Sequence, residues 1–166
     1  MTIRPERLAD VAIIAEITRD AFGADPHGSH TEHFIIESLR RNHALSVSLV
    51  AEVVGQVAGH IAFSPVKISD GSEGWYGLGP LAVRPGLQGR GIGQALVQKG
   101  LSALQDLGAQ GCVVVGEPEF YGRFGFQNSK ELVFAGVPEE YFLALPFAGK
   151  LAVGQVTYHE AFAATA

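Results

Sequence analysis

The feature that most constrains this chain is a glycine-rich turn between an apolar strand and a helix, running Leu81-Ala82-Val83-Arg84-Pro85-Gly86-Leu87-Gln88-Gly89-Arg90-Gly91-Ile92-Gly93. Behind it, Ile92, Ala95, Leu96, Lys99, Ala103 and Leu104 recur at helical spacing, which predicts a helix from about Gly91 to Leu107 with Gly108 as its stop. The short apolar run Gly111 to Val115 then reads as a buried strand. Strand, helix and strand in that order imply a parallel crossover pair. The first N–H groups of a helix lack intrahelical acceptors and carry the positive end of the helix dipole, so the turn is suited to an anion such as a pyrophosphate. Two familiar phosphate loops do not fit. No Gly-Lys-Ser/Thr follows, and Gly89, Gly91 and Gly93 lack both dinucleotide-loop spacing and an acidic residue about 20 positions on.

Upstream, Pro5 stands near a predicted helix start, with Leu8, Val11, Ala12, Ala15, Arg19 and Phe22 on one face. Ser29 and Glu32 have capping-box spacing ahead of a second helix that ends near Arg41. Ser46 to Val54 and Val57 to Phe63 alternate as two strands about a Gly55-Gln56 turn. A third strand, Trp75 to Val83, is interrupted by Gly77, Gly79 and Pro80. Proline cannot donate to a ladder, so Pro80 predicts a bulge or an edge left open. Leu132 to Phe134, Tyr141 to Leu145 and Gln155 to Tyr158 read as further strands. Without repeats or a long linker, residues 1–166 are expected to form a single mixed α/β domain.

Composition narrows the function. Hydrophobic residues make up 47% of the chain and charged residues 17%, with no apolar run long enough for a bilayer; this reads as a cytoplasmic protein with no membrane partner. Twelve basic against 17 acidic residues give a formal charge of −5 with no basic stripe, which argues against nucleic acid and mildly favours a cationic acceptor. The lone Cys112 beside Val113-Val114-Val115 reads as core filler rather than a nucleophile.

Gln88-Gly89-Arg90-Gly91-Ile92-Gly93 resembles the Gln/Arg-x-x-Gly-x-Gly/Ala signature of the GNAT (GCN5-related) N-acetyltransferases, with Leu81-Ala82-Val83 as the strand before it. Phe120-Tyr121-Gly122-Arg123-Phe124-Gly125-Phe126 resembles that family's Phe-Tyr-x-x-x-Gly-Phe. His60 to Val66 and Phe142 to Leu145 look like the YhbS-type branch. The resemblance implies the GNAT acyl-CoA N-acyltransferase fold: a central mixed, mostly antiparallel sheet with flanking helices.

It also implies acetyl-CoA or coenzyme A as co-substrate, no metal, and direct attack by an amine acceptor, a small molecule or a peptide, on the thioester. Main-chain groups of Leu81, Ala82 and Val83 would hold pantetheine, and Gln88, Gly89, Arg90, Gly91, Ile92 and Gly93 the pyrophosphate. Tyr121 matches the tyrosine placed beside the thioester sulfur, where a protonated phenol can serve the departing thiolate as general acid. The base is open: Trp75 to Pro80 carries no glutamate, leaving a water chain, Glu117 or Glu119. Glu117-Pro118 stands where many members have a pantetheine-binding asparagine. His27, His30 and His33 recur every three residues, which spreads them over successive faces and does not build a metal shell. In the family this helix pair borders the acceptor cleft, so His27, Ser29, His33, Glu37, Trp75 and Tyr76 are the expected acceptor contacts. Relatives are often homodimers. The alternatives are transfer of a longer acyl group, from CoA or an acyl carrier protein, or a non-catalytic CoA-binding sensor.

Overall fold

The computed structural model describes residues 1–23 and 30–166. Its first part alternates short strands and helices: β1 (Thr2–Pro5), α1 (Val11–Gly23), α2 (Glu32–Arg41), β2 (Val47–Val53), β3 (Gln56–Pro65), β4 (Lys67–Ile68) and β5 (Trp75–Val83). Then follow α3 (Ile92–Asp106), β6 (Gly111–Val115), α4 (Pro118–Gly122), β7 (Leu132–Val133), β8 (Phe142–Pro146) and β9 (Gly154–Thr157). Six strands form one sheet in the order β1-β2-β3-β5-β6-β8, antiparallel at every step except β5–β6. The mixed, mostly antiparallel sheet is therefore present, and the apolar Phe142–Pro146 segment closes one edge of it. A second small sheet, β4-β9-β7, was not foreseen.

The N-terminal helix departs from its predicted phase. Pro5 ends β1, and α1 begins only at Val11 after a 3₁₀ turn whose Asp10 accepts the Arg7 N–H at 2.6 Å and a bidentate pair from Arg4. Ile14, Ile17 and Thr18 face the core, whereas Leu8 is 91% exposed. Val11 to Ile17 is apolar on several sides, so periodicity left the phase degenerate and the sheet selected it. In α3 the buried set is Ile92, Leu96, Val97, Gly100, Leu101 and Leu104, while Lys99 is exposed. Gly100 lies inward because the Phe63 ring occupies the space; an added Cβ would stand 2.2 Å from Phe63 Cε1.

The hairpin turn sits one residue earlier than expected. Val53 pairs with Gln56, and Val54 and Gly55, at φ of 52° and 74°, form the two-residue loop. Two positive φ values match the right-handed twist of the strands. Among the described residues no helix is long and apolar enough to cross a membrane.

Candidate active site

Two irregularities in β5 build the site. On the β3 side, His60 pairs with Ala82 and Ile61 with Leu81, but Phe63 pairs with Leu78. Gly79 and Pro80 thus oppose Ala62 alone, a bulge with one extra residue on β5. On the β6 side, parallel pairing runs from Trp75↔Gly111 only as far as Leu78↔Val114. Past that point the two strands have no paired residues, and Gly79 to Val83 presents an unpaired edge. This is the open edge that Pro80 predicted.

A cavity of about 640 Å³ lies against that edge, lined by Leu81 and Val83 of β5, Leu87, Gln88, Gly89 and Gly91 of the loop, and Ile92, Gly93 and Gln94 of α3. Gly89 and Gly91 adopt φ of 78° and 83°, and nothing stands within 4 Å of a Cβ built on either. The backbone therefore turns as only glycine does readily and leaves open space in front. The first α3 hydrogen bond is Ala95 N–H to Gly91 O at 3.0 Å, so the N–H groups of Ile92, Gly93 and Gln94 have no acceptor inside the helix. Gln88 Nε2 donates to Val83 O at 3.3 Å and ties the loop to β5. Arg90 is exposed and does not line the cavity, and the Ala82 methyl is buried among the core side chains. An elongated anionic molecule with a diphosphate fits these residues.

The same wall includes Ala21 and Phe22 of α1 and Phe120 and Arg123 beyond β6. Arg123 Cζ lies 5.7 Å from the Phe120 ring centroid, bringing a cation to an otherwise acidic protein's anion site. Reading the sequence as strand-loop-helix did not reveal these four residues. The only local hint was the aromatic density of Phe120 to Phe126.

On the other side of Leu81 lies a second cavity, of about 380 Å³. Leu78, Gly79, Pro80 and Leu81 form one wall with Tyr121 and Val115; Phe22, Glu32 and Ile35 come from the helix pair, and Phe134, Tyr158 and Phe162 from the C-terminal part. Phe22 and Leu81 border both cavities. Tyr121 is 9% exposed and is held edge-on between Phe120 and Phe126, with centroids 4.9 and 5.8 Å away. Gly116 makes room for it, since a Cβ there would stand 2.3 Å from Tyr121 Cε2. Burial raises the Tyr121 pKa to about 12, keeping the phenol protonated at neutral pH. Burial likewise pushes the Tyr158 phenol up, and its hydroxyl has no hydrogen-bond partner among the described residues.

The expected acceptor contacts divide. Trp75 is a core residue, 3% exposed, packed over Gly111, where a Cβ would approach Trp75 Cη2 to 2.5 Å. It is therefore not placed as an acceptor contact, because Gly111 of β6 and the apolar cluster of Val66, Ile68, Phe142 and Val156 bury it. Tyr76 is half-buried and lines neither cavity; nor do exposed Glu37 and half-buried His33, whose ring contacts Phe34 at 3.9 Å. His27 and Ser29 lie outside the described residues. Glu117 and Glu119 are exposed and line neither cavity. Cys112 is fully buried and burial raises its pKa, as befits a core thiol.

Known proteins with this arrangement identify its class. The family model described as the acetyltransferase (GNAT) family matches residues 11–126, from α1 through the glycine loop to Phe126. The chain belongs to the GNAT acetyltransferase family. Within it, the chain is 37% identical over 128 residues to the uncharacterized N-acetyltransferase YhbS of Escherichia coli strain K12, covering 76% of this chain and 74% of that one, in line with the YhbS-type likeness. A GNAT acetyltransferase from Brucella melitensis, solved in complex with acetyl-CoA, superposes with a TM-score of 0.87 at 45% identity, covering 97% of both chains. Escherichia coli YhbS in complex with CoA superposes at 0.88 with 33% identity, over 99% of this chain and 93% of that one. The GNAT family model ends before Phe134, Tyr158 and Phe162 of the second cavity, whereas the superpositions on the Brucella and YhbS proteins span 97% and 99% of this chain.

Proposed function

We propose that this protein transfers an acetyl group from acetyl-CoA to a primary amine by direct attack. The observation that carries the reading is the meeting of two cavities at Leu81: a glycine-lined anion cradle on one side, and a pocket containing a protonated tyrosine on the other. The acetyl-CoA and CoA complexes of the Brucella and YhbS proteins support the choice of co-substrate. The diphosphate would rest on the N–H groups of the Gln88–Gly93 loop and α3, with Arg90 or Arg123 beside it. The pantetheine arm would run along the unpaired backbone of Leu81 to Val83.

The acceptor enters from the second cavity as a free amine. Its nitrogen attacks the thioester carbonyl carbon, the C–N bond forms as the C–S bond breaks, and the Tyr121 O–H gives its proton to the departing thiolate. The proton lost from the attacking nitrogen leaves through water and restores the phenol. Alignment of the two reactants supplies much of the acceleration, which reaches about 7–11 kcal/mol in well-oriented systems.

Two measurements test this. Calorimetric titration with acetyl-CoA and with CoA should give saturable binding of both, and folded protein that binds neither would sink the transferase reading. Under single-turnover conditions Tyr121→Phe should slow acetyl transfer by about 100-fold or more. A rate equal to wild type would remove Tyr121 as the acid and leave the phenol a packing role.

A further inference from the structure

Resting on the acetyl-transfer reading above, we infer that the second cavity is also an acyl-chain site: acyl-CoA esters of medium chain length bind through the cradle with their chains in this cavity. The two cavities are continuous at Phe22 and Leu81, which border both. A ligand held by its diphosphate at the glycine loop, with its pantetheine arm along Leu81 to Val83, brings its thioester to that junction. An acyl chain longer than acetyl cannot turn back into the cradle, which the pantetheine arm fills. Its way forward is the second cavity, where it stands in the acceptor's path.

The walls beside the junction suit a hydrocarbon. Leu78, Gly79, Pro80 and Leu81 supply the β5 side. Pro80 has no N–H to leave unpaired, and nothing stands within 4 Å of a Cβ built on Gly79. Pairing of β5 with β6 stops at Leu78↔Val114, so Val115 is the first β6 residue past the split; it lines the cavity as an apolar side chain left 43% exposed. Tyr158 is half-buried but its hydroxyl is wholly buried, so the cavity meets ring carbons. That ring is seated over Gly77, where a Cβ would come within 2.6 Å of its Cε2, and the Phe134 and Phe162 rings contact it with centroids 4.9 Å away. Glu32 also borders the cavity, but it is engaged with neighbours of its own, and an uncharged chain makes no demand on it. A chain without polar groups has nothing to desolvate on entering such a site. Each methylene moved from water onto apolar walls raises affinity by up to about fourfold. A cavity of about 380 Å³ has room for about twelve water-sized groups, enough for the chain of octanoyl-CoA and too little for that of palmitoyl-CoA.

The test is calorimetric titration with acetyl-, butyryl-, hexanoyl-, octanoyl- and palmitoyl-CoA. Affinity should rise along the series to octanoyl-CoA, with hexanoyl-CoA binding at least tenfold tighter than acetyl-CoA. Palmitoyl-CoA should gain less than threefold over octanoyl-CoA. Val115→Trp fills the cavity from its β6 wall at an exposed position; it should keep acetyl-CoA affinity within twofold of wild type and cut the hexanoyl advantage below threefold. Val115→Asp, which puts a charge on the same wall without filling it, should do the same. A flat or falling series would overturn the inference. So would a hexanoyl advantage undiminished in both Val115 variants, or a gain that continues unbroken to palmitoyl-CoA, the mark of adsorption to open surface. Acetyl-CoA binding without a chain-length gain refutes the acyl-chain site alone, whereas absence of acetyl-CoA binding removes the transferase reading with it.

Discussion

The two cavities that meet at Leu81 are built by opposite means. The first is lined chiefly by the glycine loop and the start of α3, where glycine conformation leaves open space and N–H groups lack helical acceptors. The second cavity is a side-chain site drawn from α1, α2, β5, β6, α4 and three C-terminal segments. A backbone site tolerates change in its neighbours but not in its glycines. A side-chain site depends on distant packing, and its chemistry can change while the cradle stays constant.

The sharpest way to test the contrast is to fill the cradle. Gly91→Trp puts a side chain into space that is empty within 4 Å, at φ 83°, and should weaken acetyl-CoA binding by more than 100-fold, about 2.7 kcal/mol or more. Calorimetry gives the affinity, and circular dichroism should show the fold retained. A near-wild-type affinity would mean that the diphosphate lies elsewhere.

A part-buried network ties α2 to β2 and β3, and it should respond to acid. Arg40 makes a bidentate pair with Glu6 at 2.9 Å, Ser48 donates its hydroxyl proton to Glu6, and the Ser48 oxygen lies 2.7 Å from His60 Nε2. With that proton committed to Glu6, His60 Nε2 must be the donor and Nδ1 the bare nitrogen, which has no partner among the described residues. Burial lowers the His60 pKa from 6.5 to about 4. Burial works in the opposite sense on Glu6, but hydrogen bonds from Arg40 and Ser48 outweigh it and hold the carboxyl below 4.5. Between pH 6.5 and 4 the unfolded chain binds the His60 proton and the folded chain does not, so stability falls as pH falls. The loss should approach about 3 kcal/mol at pH 4. Urea unfolding from pH 7 to 4.5 measures the slope, and His60→Gln should flatten it.

A smaller effect separates packing from chemistry at Tyr121. Gly116→Ala drives a methyl into the ring, 2.3 Å from Cε2, and should lower kcat about tenfold, near 1.4 kcal/mol, while acetyl-CoA affinity holds. An equal loss of affinity would show that the tyrosine pocket and the cradle are one unit. The smallest change lies outside both regions. Val54, 96% exposed at φ 52°, is a β-branched residue in a left-handed turn, and Val54→Asn should stabilise the fold by about 1 kcal/mol with activity unaltered. Thermal melting with parallel kinetics tests this.

Much of the architecture was legible before the fold was known. The β2–β3 hairpin, the crossover through α3, the glycine loop and the open edge at Pro80 all arise from local signals: alternation, helical spacing, glycine and a missing donor. Contiguous residues carry them, so the amino-acid sequence alone determined the strand, glycine loop and helix of the first cavity and the family, but not Ala21, Phe22, Phe120 and Arg123 on the same wall. The three-dimensional structure decided the rest. The sheet chose which face of an all-round apolar α1 turned inward, and Gly111 of β6 with the apolar cluster of Val66, Ile68, Phe142 and Val156 buried Trp75, which lies 3% exposed. Only the return of β8 and β9 to the sheets brought Phe134, Tyr158 and Phe162 opposite Tyr121 and Glu32. These outcomes depend on which strands pair and which side chains meet across more than 100 residues, and periodicity within one segment holds no record of its partners.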